Sequence, residues 1–221
     1  MYVVTNKKRR NFLSSLSITS QIILVNVIVF LVLLPLGFLS DASKIGYVAI
    51  QPNNILHGQH LWTIITSVFV HAGFFHIFAN MLSLFFAGRL IERILGKKRF
   101  FWFYIFSGIF AGLFFVLSAL IFTNELGTYA VGASGALFAL VGLLMVLTPN
   151  LPVFIMFIPI PIKMKYAAPL MLAVLWFISI AGNIPIGNTA HLGGLIAGLG
   201  YGVYLSLRYK KKIKYIRDYF S

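Results

Sequence analysis

Long apolar stretches alternate with short polar segments along almost the whole chain. Several of these stretches approach the roughly 20 residues that a helix needs to cross a bilayer. The pattern predicts an all-α, polytopic membrane protein with six transmembrane helices, at about 20–39, 74–93, 100–122, 134–147, 167–182 and 190–207.

Two connections between these segments are unusual. Residues 40–73 mix polar side chains with apolar ones, which is typical of a loop lying in the membrane interface. Residues 148–166 are apolar but contain Pro149, Pro152 and Pro159. Because proline disrupts a helix interior, this second stretch is predicted to be a surface segment on the inner side.

The composition supports a membrane protein, with 60% hydrophobic and 10% charged residues. The absence of cysteine excludes disulfides and cysteine-ligated metals. A net charge of +14 is common in nucleic-acid-binding proteins, but in so apolar a chain it indicates Lys and Arg flanking the spans. No nucleic-acid partner is therefore expected, and no cleavable signal sequence is apparent.

The distribution of basic residues predicts the orientation. In the six-span arrangement, 17 of the 18 Lys and Arg residues fall on one side, and Lys44 alone falls on the other. This bias predicts that both termini are cytoplasmic. The expected organisation is a basic cytoplasmic tail (1–19), a six-span domain (20–207) and a second basic cytoplasmic tail (208–221) that contacts anionic lipids.

The fourth apolar segment is short and begins at Ser134. Fourteen helical residues extend roughly 21 Å, against a hydrocarbon core of about 30 Å. Ser134 is therefore expected below the external surface, beside a water-filled cavity that accommodates the irregular backbone before it.

The sixth segment places His191 at the same external end, at the head of a strip formed by Gly194, Gly198 and Gly202. Such a strip permits close helix approach, so Ser134 and His191 are expected to face each other. His76 and Asn80 share a helical face at the external end of the second segment. His71 precedes that segment and, taken alone, is typical of an interfacial residue.

Each of these residues taken alone also has a packing interpretation, and their convergence favours chemistry. Serine needs an adjacent base, and histidine suits that role. None of the four acids, Asp41, Glu92, Glu125 and Asp218, is placed to reach His191 at its predicted depth, so any catalytic unit is a Ser–His dyad. Asn80, His76 and the Ser134 backbone N–H, with Gly132 keeping the turn open, are candidates for stabilising an oxyanion.

Other hydrolytic chemistries lack their residues. The chain contains no H-E-x-x-H sequence for a zinc protease and no intramembrane aspartate pair. It also contains no glycine-rich nucleotide-binding loop, and neither a metal nor a cofactor is expected.

Three motifs together resemble those of the rhomboid intramembrane serine proteases. They are "HAGFFHIFANM", "GASGALF" and "AHLGGLIAGLGYG", in the order and on the spans that the family uses. The resemblance implies that Ser134 is the nucleophile and His191 its general base. It further implies that His76 and Asn80 contribute to the oxyanion site. The fold it implies is a six-span rhomboid-like bundle, with lateral access for the substrate near the fifth span.

Two positions depart from the family pattern. The first loop carries Trp62–Thr63 where members often have Trp-Arg, which puts loop stability rather than activity in question. Phe138 stands where members often have a tyrosine that stacks on the catalytic histidine, and stacking is expected to survive. Gly194 is expected to support the dyad by admitting the neighbouring helix.

The expected function is cleavage of transmembrane protein substrates near the external face, by a multi-pass protein of a prokaryotic plasma membrane. Its expected partners are those substrates and membrane lipids. A non-catalytic relative that binds transmembrane helices as a chaperone or scaffold is the main alternative. A small transporter is a third possibility, although no internal symmetry is visible.

Overall fold

The computed structural model describes residues 16–38, 41, 43–155, 160–182 and 186–220. Its architecture is mostly helical. The principal helices are α1 (Ile18–Leu33), α2 (Pro52–Leu56), α3 (Thr63–Thr66), α4 (Phe74–Leu95), α5 (Lys97–Ser118), α6 (Ser134–Leu147), α7 (Met164–Gly182), α8 (Asn188–Arg208) and α9 (Lys210–Tyr219).

Within the described residues, four helices are long and apolar enough to cross a membrane: α4, α5, α7 and α8. The helices α1 and α6 are apolar but shorter, with 16 and 14 residues. The chain is therefore a multi-pass membrane protein. Its predicted basic N-terminal tail lies largely outside the described residues.

The prediction for the first span was too long. Helix α1 ends at Leu33, and only hydrogen-bonded turns continue to Phe38. Pro35 explains why the helix ends here, because proline has no backbone N–H to donate to the next hydrogen bond of a continuing helix. The fourth span was predicted at its observed bounds, Ser134–Leu147.

The described residues are mostly helical, as predicted, and they also contain one short pair of strands. A short antiparallel ladder pairs β1 (Pro152–Val153) with β2 (Ile162–Lys163) in the proline-rich connection. The prolines exclude a helix, but proline is tolerated as the first residue of a strand, and Pro152 takes that place in β1. Three 3₁₀ turns and a π-helical turn (Leu84–Gly88) within α4 complete the regular structure, the former at Ile45–Tyr47, Ser67–Phe69 and Thr123–Glu125.

Helix α6 lies at the centre of the bundle. It is nearly all apolar, and most of its residues are buried because α5 and α8 pack along its length. A helix that is apolar on all sides is typical of such a central position. The exposed aromatic and aliphatic side chains lie on the outer helices, as expected for surfaces that face lipid.

A buried carboxylate joins the first two long segments of the bundle. Both Glu92 carboxylate oxygens accept hydrogen bonds from the start of α1: from the Ile18 N–H at 2.9 Å, the Thr19 N–H at 2.9 Å and the Thr19 hydroxyl at 2.7 Å. The first N–H groups of a helix have no partner within it. Glu92 supplies that partner and fixes α1 against α4.

Candidate catalytic site

Ser134 and His191 meet at the N-terminal ends of α6 and α8. The distance between Ser134 Oγ and His191 Nε2 is 2.7 Å, which is a hydrogen bond. When the hydroxyl donates to Nε2, the neutral ring carries its proton on Nδ1. The structure thus brings together the two residues that the sequence placed on facing helix strips.

Glycines at the contact between α6 and α8 allow the two helices to approach this closely. A Cβ added to Gly194 would collide with the carbonyl oxygen of Gly135, and one added to Gly198 would collide with that of Ala139. Only glycine leaves room for two backbones at this separation. The strip below the site therefore sets the distance between the helices that carry Ser134 and His191.

The His191 ring is held by packing on its other side. Phe138 stacks on it with ring centroids 4.7 Å apart and an interplanar angle of 22°. His191 is buried, and its Nδ1 has no hydrogen-bond partner among the described residues. The stacking expected for Phe138 is present, and no carboxylate among the described residues orients the ring.

One carboxylate nevertheless contacts the start of α8, near His191. The Thr189 hydroxyl donates a hydrogen bond of 3.0 Å to the Glu125 carboxylate. Thr189 precedes His191 by two residues in the first turn of α8. Glu125 therefore ties the start of this helix to the loop before α6, and does not contact the imidazole.

Gly132 keeps a space open beside the serine. Its φ of 121° is a conformation that residues with a side chain rarely adopt. A Cβ there would lie 2.7 Å from His76 Nε2 and 3.7 Å from Ser134 Oγ. The glycine thus leaves a gap between the serine hydroxyl and the His76 ring.

The first loop holds this backbone in place. The Gly132 N–H donates to the Ser67 carbonyl at 2.9 Å. An isolated antiparallel bridge joins Ile50 to Ala130 through hydrogen bonds of 3.0 and 2.9 Å. The turn that presents Ser134 is therefore fixed by contacts from the predicted interfacial loop.

His76 directs one ring nitrogen into the gap. The Ala72 N–H lies 3.4 Å from Nδ1, so Nδ1 acts as the acceptor and the ring proton is assigned to Nε2. Nε2 is the atom that faces Gly132. His76 is consequently a hydrogen-bond donor toward the space above Ser134.

Asn80 lies one turn further along α4 and is buried. Its amide nitrogen donates to the His76 carbonyl oxygen at 2.8 Å, and its Oδ1 has no partner among the described residues. Asn80 therefore bonds to the backbone of His76 and makes no hydrogen bond with Ser134 or His191.

His71 is buried completely, so the interfacial interpretation of this residue was wrong. Its ring packs edge-on against His76 with centroids 5.1 Å apart. Burial lowers the pKa of His71 to about 4, so the ring is neutral near pH 7. A neutral ring can support His76 from behind without adding charge to the site.

Most of the chain matches one known protein family. The Rhomboid domain profile matches residues 58–208, which include α4 to α8. The protein belongs to the rhomboid family. The rhomboid match includes all the residues assembled above except those of the first loop before residue 58.

Several curated rhomboid-like proteins are similar to the chain. RHOMBOID-like protein 1 of Arabidopsis thaliana is 37% identical over 169 residues, covering 75% of this chain and 39% of its own length. RHOMBOID-like protein 5 of the same plant is 34% identical, covering 75% and 50%. The mitochondrial Rhomboid protein 1 of Saccharomyces cerevisiae is 32% identical over 154 residues, covering 68% and 43%. The matched region thus represents half or less of each of these relatives.

Sequence reasoning missed three contributors to the site. Ser67 acts through a backbone carbonyl, which any residue would supply. The Glu125–Thr189 hydrogen bond and the Ile50–Ala130 bridge join residues more than 60 positions apart. No local pattern in the chain signals either contact.

Proposed function

We propose that the protein is an intramembrane serine endopeptidase that cleaves transmembrane protein substrates near the external membrane face. The observation that carries the proposal is the 2.7 Å hydrogen bond between Ser134 Oγ and His191 Nε2, at the N-terminal end of a short central helix. A serine hydroxyl becomes an effective nucleophile when a base accepts its proton.

In the proposed reaction, Ser134 Oγ attacks the scissile carbonyl while its proton moves to His191 Nε2. The tetrahedral intermediate collapses when that proton passes to the leaving amine, which leaves an acyl-enzyme on Ser134. A water molecule then gives its proton to Nε2 and its oxygen to the acyl group. Deacylation releases the second product and restores the serine.

The developing oxyanion would occupy the gap that Gly132 leaves open. The Ser134 backbone N–H and His76 Nε2–H are the proposed donors. Asn80 would act mainly by holding the His76 segment, and a rotation of its amide would make it a third donor. His71, neutral and packed on His76, would keep the donor ring in place.

Substrate access is proposed to be lateral, beside α7. All its buried residues lie in the first half of the helix: Met164, Ala167, Ala168 and Leu172. The second half, toward the site, has no buried residue, and Pro169 interrupts the hydrogen-bond ladder within the first half. A substrate helix that approaches between α7 and its neighbours would therefore displace only partly buried side chains, such as Leu175 and Trp176, which pack against the cluster of Phe138 and Leu195.

The proposed topology has six spans, with α1 and α6 as the two short ones, and both termini on the cytoplasmic side of a prokaryotic plasma membrane. The basic residues of the first turn of α5 and of α9 support this orientation. The site then lies toward the external face, where water can reach the half-buried Ser134.

The test is cleavage of a transmembrane reporter in proteoliposomes. Ser134→Ala and His191→Ala should each abolish product formation while the protein still inserts. Ser118→Ala is a control, since Ser118 is a buried serine at the end of α5 and donates only to its own helix at 2.9 Å. His57→Ala, at an exposed histidine of the first loop, is the control for His191. Normal turnover by either dyad variant would refute the proposal, and reporter binding without cleavage by the parent would favour the scaffold alternative.

A further inference from the structure

A groove runs along the outer surface where α5 meets α8, and it lies at the basic end of the bundle, opposite the catalytic site. Its volume is about 670 Å³. It begins at Lys98 and Arg99 in the first turn of α5 and extends to Phe110. At about 1.5 Å per residue, that path is roughly 17 Å long, which is about half the hydrocarbon thickness of a bilayer.

The walls of the groove are aromatic. Trp102 stacks on Phe106 with centroids 5.3 Å apart, and Phe103 stacks on Tyr201 with centroids 4.9 Å apart. Trp102 and Phe106 remain 46% and 61% exposed. The concave surface is therefore apolar over the length of one leaflet and is not filled by the protein itself.

The mouth of the groove carries only positive charge. Lys98 and Arg99 are both exposed, and the Arg99 guanidinium lies 5.7 Å from the Tyr209 ring centroid. Tyr209 belongs to an adjacent cleft that also includes Arg208 and Lys210. In the part of the chain that the structure describes, no carboxylate lines either the groove or this cleft.

We propose that this groove is a binding site for a phospholipid with a net negative head group. One acyl chain lies along Trp102, Phe106 and Phe110, and the lipid phosphate lies between Lys98 and Arg99. The apolar walls alone would accept any lipid. The basic mouth adds selectivity for negative head groups, since each Lys or Arg near a membrane surface strengthens anionic-lipid binding about five-fold.

The test uses Trp102 as the reporter of occupancy. The chain has three tryptophans, so Trp62→Phe with Trp176→Phe leaves Trp102 alone. This variant is reconstituted in phosphatidylcholine vesicles that contain a small fraction of brominated phosphatidylglycerol or, separately, of brominated phosphatidylcholine. With two basic residues at the mouth, each worth about five-fold, half-maximal quenching of Trp102 is expected at a fraction about 25-fold lower for the anionic lipid.

Charge variants test whether Lys98 and Arg99 cause the preference for the anionic lipid. Lys98→Gln with Arg99→Gln should make the two brominated lipids equivalent quenchers. Lys163→Gln with Lys214→Gln removes the same charge from exposed positions outside the groove and should leave the preference intact. Native mass spectrometry of the unsubstituted chain gives a second measurement, in which phosphatidylglycerol adducts should survive at higher activation energy than phosphatidylcholine adducts.

Equal quenching by the two lipids before the mouth is altered would overturn the proposal. Weak quenching by both would also overturn it, because it would mean that a protein segment, such as a second copy of the chain, covers the groove. None of these readouts depends on proteolytic activity.

Discussion

Replacing Gly132 with alanine should impair the site through a single methyl group. The added Cβ would lie 2.7 Å from His76 Nε2 but 3.7 Å from Ser134 Oγ. The first distance requires a shift, and the second is an ordinary contact. The His76 ring should therefore move while the dyad hydrogen bond persists. Loss of one oxyanion donor lowers turnover by about 10²–10³-fold.

The substitution also strains the backbone, since φ at this position is 121°. Holding a residue with a side chain in such a conformation costs about 1–3 kcal/mol. Thermal unfolding in detergent would measure this loss of stability separately from the loss of turnover. Gly127→Ala in the same outer loop is the control, because nothing lies within 4 Å of the Cβ it would add.

A double-mutant cycle with His76→Ala isolates the mechanism. If the methyl group acts by displacing the imidazole, Gly132→Ala should slow reporter cleavage much less once that ring is absent. Equal fold losses in both backgrounds would refute this reasoning, since the methyl would then act independently of His76.

Three further substitutions test other contacts. Glu92→Ala should lower the free energy of unfolding by about 3 kcal/mol by leaving helix N–H groups without their acceptor, and unchanged resistance to denaturant would contradict that role. Gly198→Ala should cost about 1–3 kcal/mol by forcing α8 from α6, whereas Gly200→Ala, which meets nothing within 4 Å, should be nearly neutral in the same unfolding measurement. Phe138→Leu should lower kcat/KM about 2- to 10-fold by removing the ring that stacks on His191, and Phe138→Tyr should retain parent activity; equal losses would discount the stacking.

Local sequence patterns predicted the helices and the pairing at their ends. The bounds of α6 follow from an unbroken apolar run between a glycine-rich turn and a proline. The facing of Ser134 and His191 follows from two small-residue strips at helical spacing, because glycine positions on one helix dictate where another can approach.

Contacts between distant segments could not be predicted in the same way. The burial of His71 depends on how the first loop folds back over α4, and its mostly apolar neighbours in sequence fit a membrane-interface segment as well as a buried one. Glu92 lies among basic residues and is typical of a solvated helix end, yet its carboxylate caps α1. Such pairings depend on tertiary geometry, for which a single sequence has no periodic signal.

The central claim is that Ser134 is a nucleophile activated by His191 across 2.7 Å. Its most direct test is the rate of covalent labelling by a fluorophosphonate, with the modified residue located by peptide mass spectrometry. The account predicts one adduct, on Ser134, and loss of labelling in His191→Ala. An adduct on another serine, or labelling at an unchanged rate without His191, would contradict it.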